Sequence, residues 1–300
     1  MFTGMVAPII TPINEDETID LDGLATVIER VLQGGAKGVF VGGTVGEGIA
    51  LRDKQKSVLY RNSVDIVGKR AVVLGNVCET STYRALELLE LAIEAGMDTV
   101  VVTARLGFPR RTDNEVFNHV SFLAEKSTVP VWYYEIPPLT GVTCSMEQMR
   151  AICGLASVQG VKYSGSSRDF FGKCVHDLQP EVPVLTGVVE DIIYGGTIGA
   201  AGIVPGFASL APRACVDAFE SAKNNDIKTA QLHLEGILSL YKIYGEGGWP
   251  YWPTAQKYAL EKIGVLKNSY STRPFNQLTA DDKRTIDTAM EKIDLRVLDV

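Results

Sequence analysis

Histidine is scarce in this 300-residue chain. His119, His176 and His233 are the only three, far apart and outside any His-Glu-x-x-His pattern. A hydrolytic zinc site needs imidazoles at such spacing, so no metal site is expected and each histidine reads as a helix-surface or satisfied core residue. Cysteine is equally unhelpful to a metal or a disulfide frame. Cys78, Cys144, Cys153, Cys174 and Cys215 are odd in number, scattered, and free of any Cys-x-x-Cys pair. They read as reduced thiols of a cytoplasmic protein. Positive charge is in deficit, with 29 Lys and Arg against 36 Asp and Glu. A net charge of -7 without a basic stripe excludes a nucleic-acid partner. No apolar stretch approaches a membrane span, and Met1-Phe2-Thr3-Gly4-Met5 has neither the basic segment nor the long apolar core of a signal peptide. No Gly-x-Gly-x-x-Gly turn follows the first strand signal, which argues against a dinucleotide fold.

What is present is an ordinary globular composition, 46% hydrophobic and 22% charged. Short β-branched runs recur at Val6–Pro12, Gly38–Gly43, Ala71–Asn76, Thr99–Ala104, Val129–Ile136, Val158–Ser164, Val182–Val188 and Gly199–Gly206. Amphipathic stretches follow near 20–34, 53–67, 80–95, 112–127, 145–153, 168–178, 189–198 and 209–223. Near-continuous apolar strands alternating with helices require a parallel sheet covered by helices. Such units, repeated without a break in composition, predict an α/β fold, a (β/α)₈ TIM barrel over residues 1–223. Periodic apolar positions such as Leu232, Ile237 and Leu240 predict a C-terminal helical extension over 224–300. Within it, Gly245–Pro253 is a Gly/Pro-rich connector whose Trp249, Tyr251 and Trp252 would bury against the barrel or wall a substrate entrance.

Lys162 is the most telling residue. It ends the apolar run Val158-Gln159-Gly160-Val161, whereas other lysines, such as Lys54 and Lys56 or Lys223 and Lys228, lie in polar stretches. Desolvation disfavours an ammonium, and a lysine held partly neutral attacks carbonyls. The same placement also fits a snorkelling or ion-paired lysine at a strand end. The other predicted strand ends supply context, since barrel chemistry sits at the C-terminal ends of the strands. The second strand ends in Gly42-Gly43-Thr44-Val45-Gly46-Glu47-Gly48, a turn whose N–H groups can cradle an anion. The fifth ends in Tyr133-Tyr134-Glu135-Ile136-Pro137, and the seventh runs into Gly187 and Glu190. A lysine, a phenol, a hydroxyl and an anion nest are what an imine-forming enzyme for 2-oxo acids requires.

Three motifs carry a resemblance to the pyruvate-dependent class I aldolase family that includes N-acetylneuraminate lyase and dihydrodipicolinate synthase. They are Gly43-Thr44-Val45-Gly46-Glu47, Tyr134-Glu135-Ile136-Pro137-Pro138-Leu139-Thr140-Gly141 and Gly160-Val161-Lys162-Tyr163-Ser164, joined by Lys257-Tyr258-Ala259 and Arg273-Pro274 further on. The resemblance implies that Lys162 forms the Schiff base, that Tyr134 relays protons and that Thr44 completes the relay. It implies that the amides of Thr44 and Val45 hold the substrate carboxylate, with Gly46, Leu139, Ser164, Gly187, Glu190 and Gly206 around the substrate. It also implies a homotetramer of tight dimers, pyruvate and an aldehyde as small-molecule partners, and no cofactor.

Four departures narrow this. Val45 replaces a second hydroxyl that bonds the carboxylate in the family, and losing such a bond costs about 1.5–3 kcal/mol. Leu139 stands where the synthase branch has a carboxylate-gripping arginine. That resembles the lyase and sugar-acid-aldolase branches. Of an acidic pair that binds sugar hydroxyls only Glu190 is present, with Val189 for the first acid and Gly206 for a pocket serine. After strand four the chain reads Thr103-Ala104-Arg105-Leu106-Gly107-Phe108-Pro109-Arg110-Arg111, without the tyrosine that relatives extend into a neighbouring subunit's relay. Arg105, Arg110 and Arg111 are solvated loop residues or contacts to an acidic substrate. The expected activity is cleavage of a 3-deoxy-2-oxo sugar acid or sialic-acid-like substrate to pyruvate and an aldehyde. Dehydration of a deoxy-oxo sugar acid, a dihydrodipicolinate-synthase-type condensation and a non-catalytic 2-oxo-acid-binding homologue are the alternatives.

Overall fold

Eight parallel strands close into one barrel in chain order, each hydrogen-bonded to its sequence neighbours and β8 returning to β1. The computed structural model describes residues 2–107, 112, 114–244 and 252–298. The strands are β1 Gly4–Pro8, β2 Gly38–Val41, β3 Val72–Asn76, β4 Thr99–Thr103, β5 Val131–Glu135, β6 Val158–Tyr163, β7 Val184–Thr186 and β8 Gly202–Ile203. Between them run α1 Leu21–Gln33, α2 Asp53–Val67, α3 Thr82–Glu94, α4 Asn114–Lys126, α5 Pro137–Thr140, α6 Met146–Cys153, α7 Arg168–Leu178 and α8 Ile192–Thr197. After β8 come α9 Pro212–Lys223, α10 Ile227–Ser239, α11 Trp252–Lys262 and α12 Ala280–Met290.

All eight expected strands form, and several are shorter than their apolar runs. Pro130 and Pro183 lack the N–H a central ladder needs, so β5 and β7 begin after them. The eighth run shrinks to Gly202–Ile203. Pro212 likewise starts α9 from its first turn, where its missing N–H costs nothing, leaving 209–211 outside the helix. The four-residue α5, opening on Pro137-Pro138, lies in a stretch expected to be loop.

Alternation along the strands divides the apolar residues into two cores. Val6, Phe40, Leu74, Val101, Trp132, Tyr134 and Leu185 fill the barrel interior. The opposite faces meet the helices: Tyr133 is buried outside, its hydroxyl donating to Glu135 Oε2 at 2.9 Å. Tyr163 stacks outside on Phe170 and Phe171. The two-residue period therefore decides which of the paired tyrosines faces inward, and it is Tyr134. A concavity of about 810 Å³ opens at the N-terminal ends of the strands, lined by Lys37, Asp98, Trp132 and Glu181 among others. It lies opposite the strand ends where barrel chemistry is placed, on the face that serves stability.

Candidate active site

Registration of β5 on β6 sets Tyr134 directly beside Lys162. Both side chains point inward, and the amine rests 3.9 Å from the centroid of the Tyr134 ring and 5.0 Å from that of Phe40. Lys162 is 7% exposed. Ring faces favour an ammonium modestly, whereas removal from water disfavours it strongly. Desolvation wins, and burial lowers the amine from 10.5 to about 7.

Burial alone does not single this lysine out. Lys56, expected on a polar helix face, is buried at 1% exposure, and Lys257 is buried at 0%. Both are neutralised by carboxylates. Lys56 donates to Glu79 Oε1 at 3.1 Å, and Lys257 pairs with Glu47 while donating to the Tyr270 carbonyl at 2.8 Å. Among the described residues Lys162 has no such carboxylate. A buried amine without a counter-ion relieves its desolvation by losing its proton, which is the state a nucleophile needs.

Tyr134 is also buried, and its phenol lies within interaction range of the side-chain hydroxyls of Thr44 and Ser164. Burial raises its pKa well above the ordinary phenol value, and those two hydroxyls oppose the rise. It is a neutral phenol at working pH. Ser164 and Thr44 are half-buried, so each links the buried ring to the solvated mouth.

Thr44 stands on the glycine turn after β2. Gly42 adopts φ +65°, and a Cβ on Gly48 would lie 1.6 Å from the Gly42 carbonyl oxygen, so the turn closes only with glycine there. Glu47 and Gly48 make the internal bonds, to Thr44 O and Gly43 O. The amides of Thr44 and Val45 have no backbone acceptor among the described residues. Glu47 holds φ 58°, a left-handed conformation unfavourable for a side-chain-bearing residue. Its buried carboxylate explains why it persists: it meets Lys257 from α11 and accepts from the Thr272 amide at 2.8 Å. Burial drives the Glu47 carboxyl up and the Lys257 amine down, while each partner's charge opposes the shift in the other. The C-terminal helices thus clamp the catalytic-side turn.

The remaining expected residues take varied positions. Gly187 belongs to the cluster: a Cβ there would lie 2.1 Å from Ser164 Oγ and 2.9 Å from Lys162 Cε. The Val45 side chain is buried in the core, and the Gly46 carbonyl accepts from Thr11 Oγ1 at 2.7 Å. Leu139 is 40% exposed on α5. Glu190 is exposed, and its carboxylate lies near the Tyr241 hydroxyl beyond the end of α10. A Cβ on Gly206 would lie 3.2 Å from Trp252, which belongs to the start of α11. Trp249 and Tyr251 lie outside the described residues, as do Arg110 and Arg111. Arg105 pairs with Glu115 at 3.1 Å.

Cys78, beyond the end of β3, was not singled out by the sequence. It lies within electrostatic reach of both Lys162 and Tyr134, and burial pushes its thiol up to about 11, so it adds no negative charge beside the amine. No motif marks it. The Glu47–Lys257 pair has a partial signal in the sequence: both residues fall in motifs that carry the resemblance, whereas their burial and contact come from the fold.

Comparison with known proteins identifies the family of the chain. The model of the dihydrodipicolinate synthetase family matches residues 1–293. A 4-hydroxy-tetrahydrodipicolinate synthase of Rickettsia bellii is 25% identical over 298 residues, 99% of either chain. An uncharacterized DapA-like lyase of Halobacterium salinarum is 31% identical over 228 residues, 76% of this chain and 74% of its own. The structure of dihydrodipicolinate synthase from Bacteroides thetaiotaomicron superposes with a TM-score of 0.90 at 25% identity, covering 97% of this chain and 99% of its own. The chain belongs to the dihydrodipicolinate synthetase family, and so to the pyruvate-dependent enzymes that act as class I Schiff-base lyases and aldolases.

Proposed function

We propose that this enzyme cleaves a 3-deoxy-2-oxo sugar acid, or a sialic-acid-like relative, to pyruvate and an aldehyde through an imine on Lys162. One observation carries the reading: a buried lysine without a carboxylate partner, lying against a neutral phenol. The neutral amine attacks the C2 carbonyl, and loss of water gives the iminium. The C4 hydroxyl passes its proton to the Tyr134–Thr44 relay as the C3–C4 bond breaks, and that bond's electrons move into a C2=C3 enamine. The aldehyde leaves, C3 takes a proton, and water hydrolyses the imine to release pyruvate. The unused amides of Thr44 and Val45 support a carboxylate site at the glycine turn.

Leu139 supports cleavage of an uncharged polyol arm over condensation with a carboxylate-bearing aldehyde, because it offers no cation to grip an acid. Named synthases among the relatives favour the condensation, so both directions belong in the test. The absence of a helix long and apolar enough to cross a membrane, among the described residues, and five free cysteines support a cytoplasmic enzyme. A homotetramer rests on the family resemblance and is checked by sedimentation.

Borohydride reduction with a series of 2-oxo acids, followed by peptide mapping, tests the imine. A stable adduct on Lys162, absent in Lys162→Ala, is expected. An adduct on another lysine, or none with any 2-oxo acid, sinks the reading. Product analysis with N-acetylneuraminate and 2-keto-3-deoxygluconate then separates cleavage, which gives pyruvate and an aldehyde, from dehydration, which releases only water.

A further inference from the structure

Ser164, expected around the substrate, stands in the structure near both Tyr134 and Lys162. Its hydroxyl lies close enough to the Tyr134 phenol to oppose the rise in that group's pKa. Its Oγ also stands 2.1 Å from the point where a Gly187 Cβ would be, and Lys162 Cε stands 2.9 Å from the same point. One hydroxyl therefore lies near the phenol and beside the stem of the reactive lysine, in room that exists because residue 187 has no side chain. The backbone fixes it there: the Ser164 amide donates to the Glu135 carbonyl at 2.8 Å, and the Gly187 amide donates to the Tyr163 carbonyl at 2.7 Å. Lys162 and Tyr134 are both nearly dry, while Ser164 is half-buried.

Given the imine reading above, on which this inference rests, we propose that Ser164 is a positioning residue of the proton relay, aiming the Tyr134 hydroxyl at the imine and passing its proton to water. The chemistry creates the need. Burial keeps Tyr134 neutral, so a route that parks a charge on the phenolate is costly. A shuttle avoids it. The C3–H bond of the iminium breaks, its electron pair forms the C2=C3 enamine, and the proton arrives on the Tyr134 oxygen. The phenolic proton leaves in the same event for Ser164 Oγ, whose own proton passes to water at the mouth. One proton enters the relay and one leaves, and the phenol is unchanged. Thr44 lies near the same phenol from the glycine turn, which gives the ring two hydroxyl exits within one chain. The stretch after β4 contains no tyrosine between residues 103 and 111, and the exit through Ser164 uses none.

Exchange of the C3 protons of pyruvate for deuterium, followed by NMR, reads this step without knowledge of the aldehyde. Ser164→Ala should slow exchange at least tenfold and alter its pH profile, while borohydride trapping on Lys162 stays within twofold of wild type. Ser164→Thr should restore exchange. Gly187→Ala, whose Cβ displaces both Ser164 and Lys162, should lower trapping and exchange together. Unchanged exchange in Ser164→Ala overturns the proposal, and so does loss of trapping and exchange in parallel, which would make Ser164 a support of the lysine. Failure of wild type to trap pyruvate overturns instead the imine reading itself.

Discussion

Lys162→Met should make this protein more stable and inactive, and the gain should depend on pH in a calculable way. Methionine nearly conserves the volume and length of the lysine stem, so packing changes little. The electrostatics change completely. In the folded chain the amine loses its proton near 7, against 10.5 for the free side chain. Between those two values the unfolded chain holds a proton that the folded chain has given up. The unfolded state therefore binds more protons, and this lysine's contribution to stability rises with pH through that window. Below 7 both states are protonated and the full cost of burying an ammonium remains. At pH 7 the penalty is about 4 kcal/mol, and at pH 10 it has fallen to about 1 kcal/mol. Urea denaturation of wild type and variant at both pH values measures it, because every other titrating group cancels in the difference. The variant should lead by about 4 kcal/mol at neutral pH, with the lead closing in base. A difference that does not vary with pH, or a variant less stable at pH 7, would refute the claim that the amine is buried without a counter-charge. The same displacement leaves about half of the amines neutral at pH 7, against fewer than about one in a thousand for an ordinary lysine, so trapping of pyruvate should reach its plateau just above neutrality. A rate that keeps climbing to pH 10 contradicts it.

Three further outcomes follow from the same geometry. Lys257→Met strands the buried Glu47 carboxylate and should cost about 3–5 kcal/mol in urea, with Glu47→Gln added to it recovering much of the loss; a double variant no better than the single would show that the pair is not coupled. Tyr134→Phe should keep pyruvate trapping and lower turnover by about 10²–10⁴-fold, whereas equal losses in both would make the phenol merely structural. Gly48→Ala forces a Cβ against the Gly42 carbonyl oxygen and should raise the KM for the 2-oxo acid at least tenfold, by kinetics or calorimetry. An unchanged KM would place the carboxylate elsewhere.

Much of this molecule was legible as sequence because its local rules agree with its fold. Eight apolar β-branched runs separated by amphipathic stretches admit few architectures, and the two-residue period of a strand puts Lys162 and Tyr134 on one face and Tyr133 and Tyr163 on the other. The glycines after β2 announced a tight turn for the same local reason. What the chain alone could not settle was which charges are paired in three dimensions. Lys56 read as a polar helix residue and is buried on Glu79; Lys257 read as part of a family motif and holds Glu47 from more than 200 residues away. Lys162 is distinguished not by burial but by lacking such a partner, and a missing partner has no sequence signature. Glu190 reads as a sugar ligand, and the fold adds the Tyr241 hydroxyl near it, a neighbour that no local pattern announces. Strand and helix patterns are set by neighbours in the chain, whereas the protonation of a buried group is set by whatever closure of the barrel brings beside it.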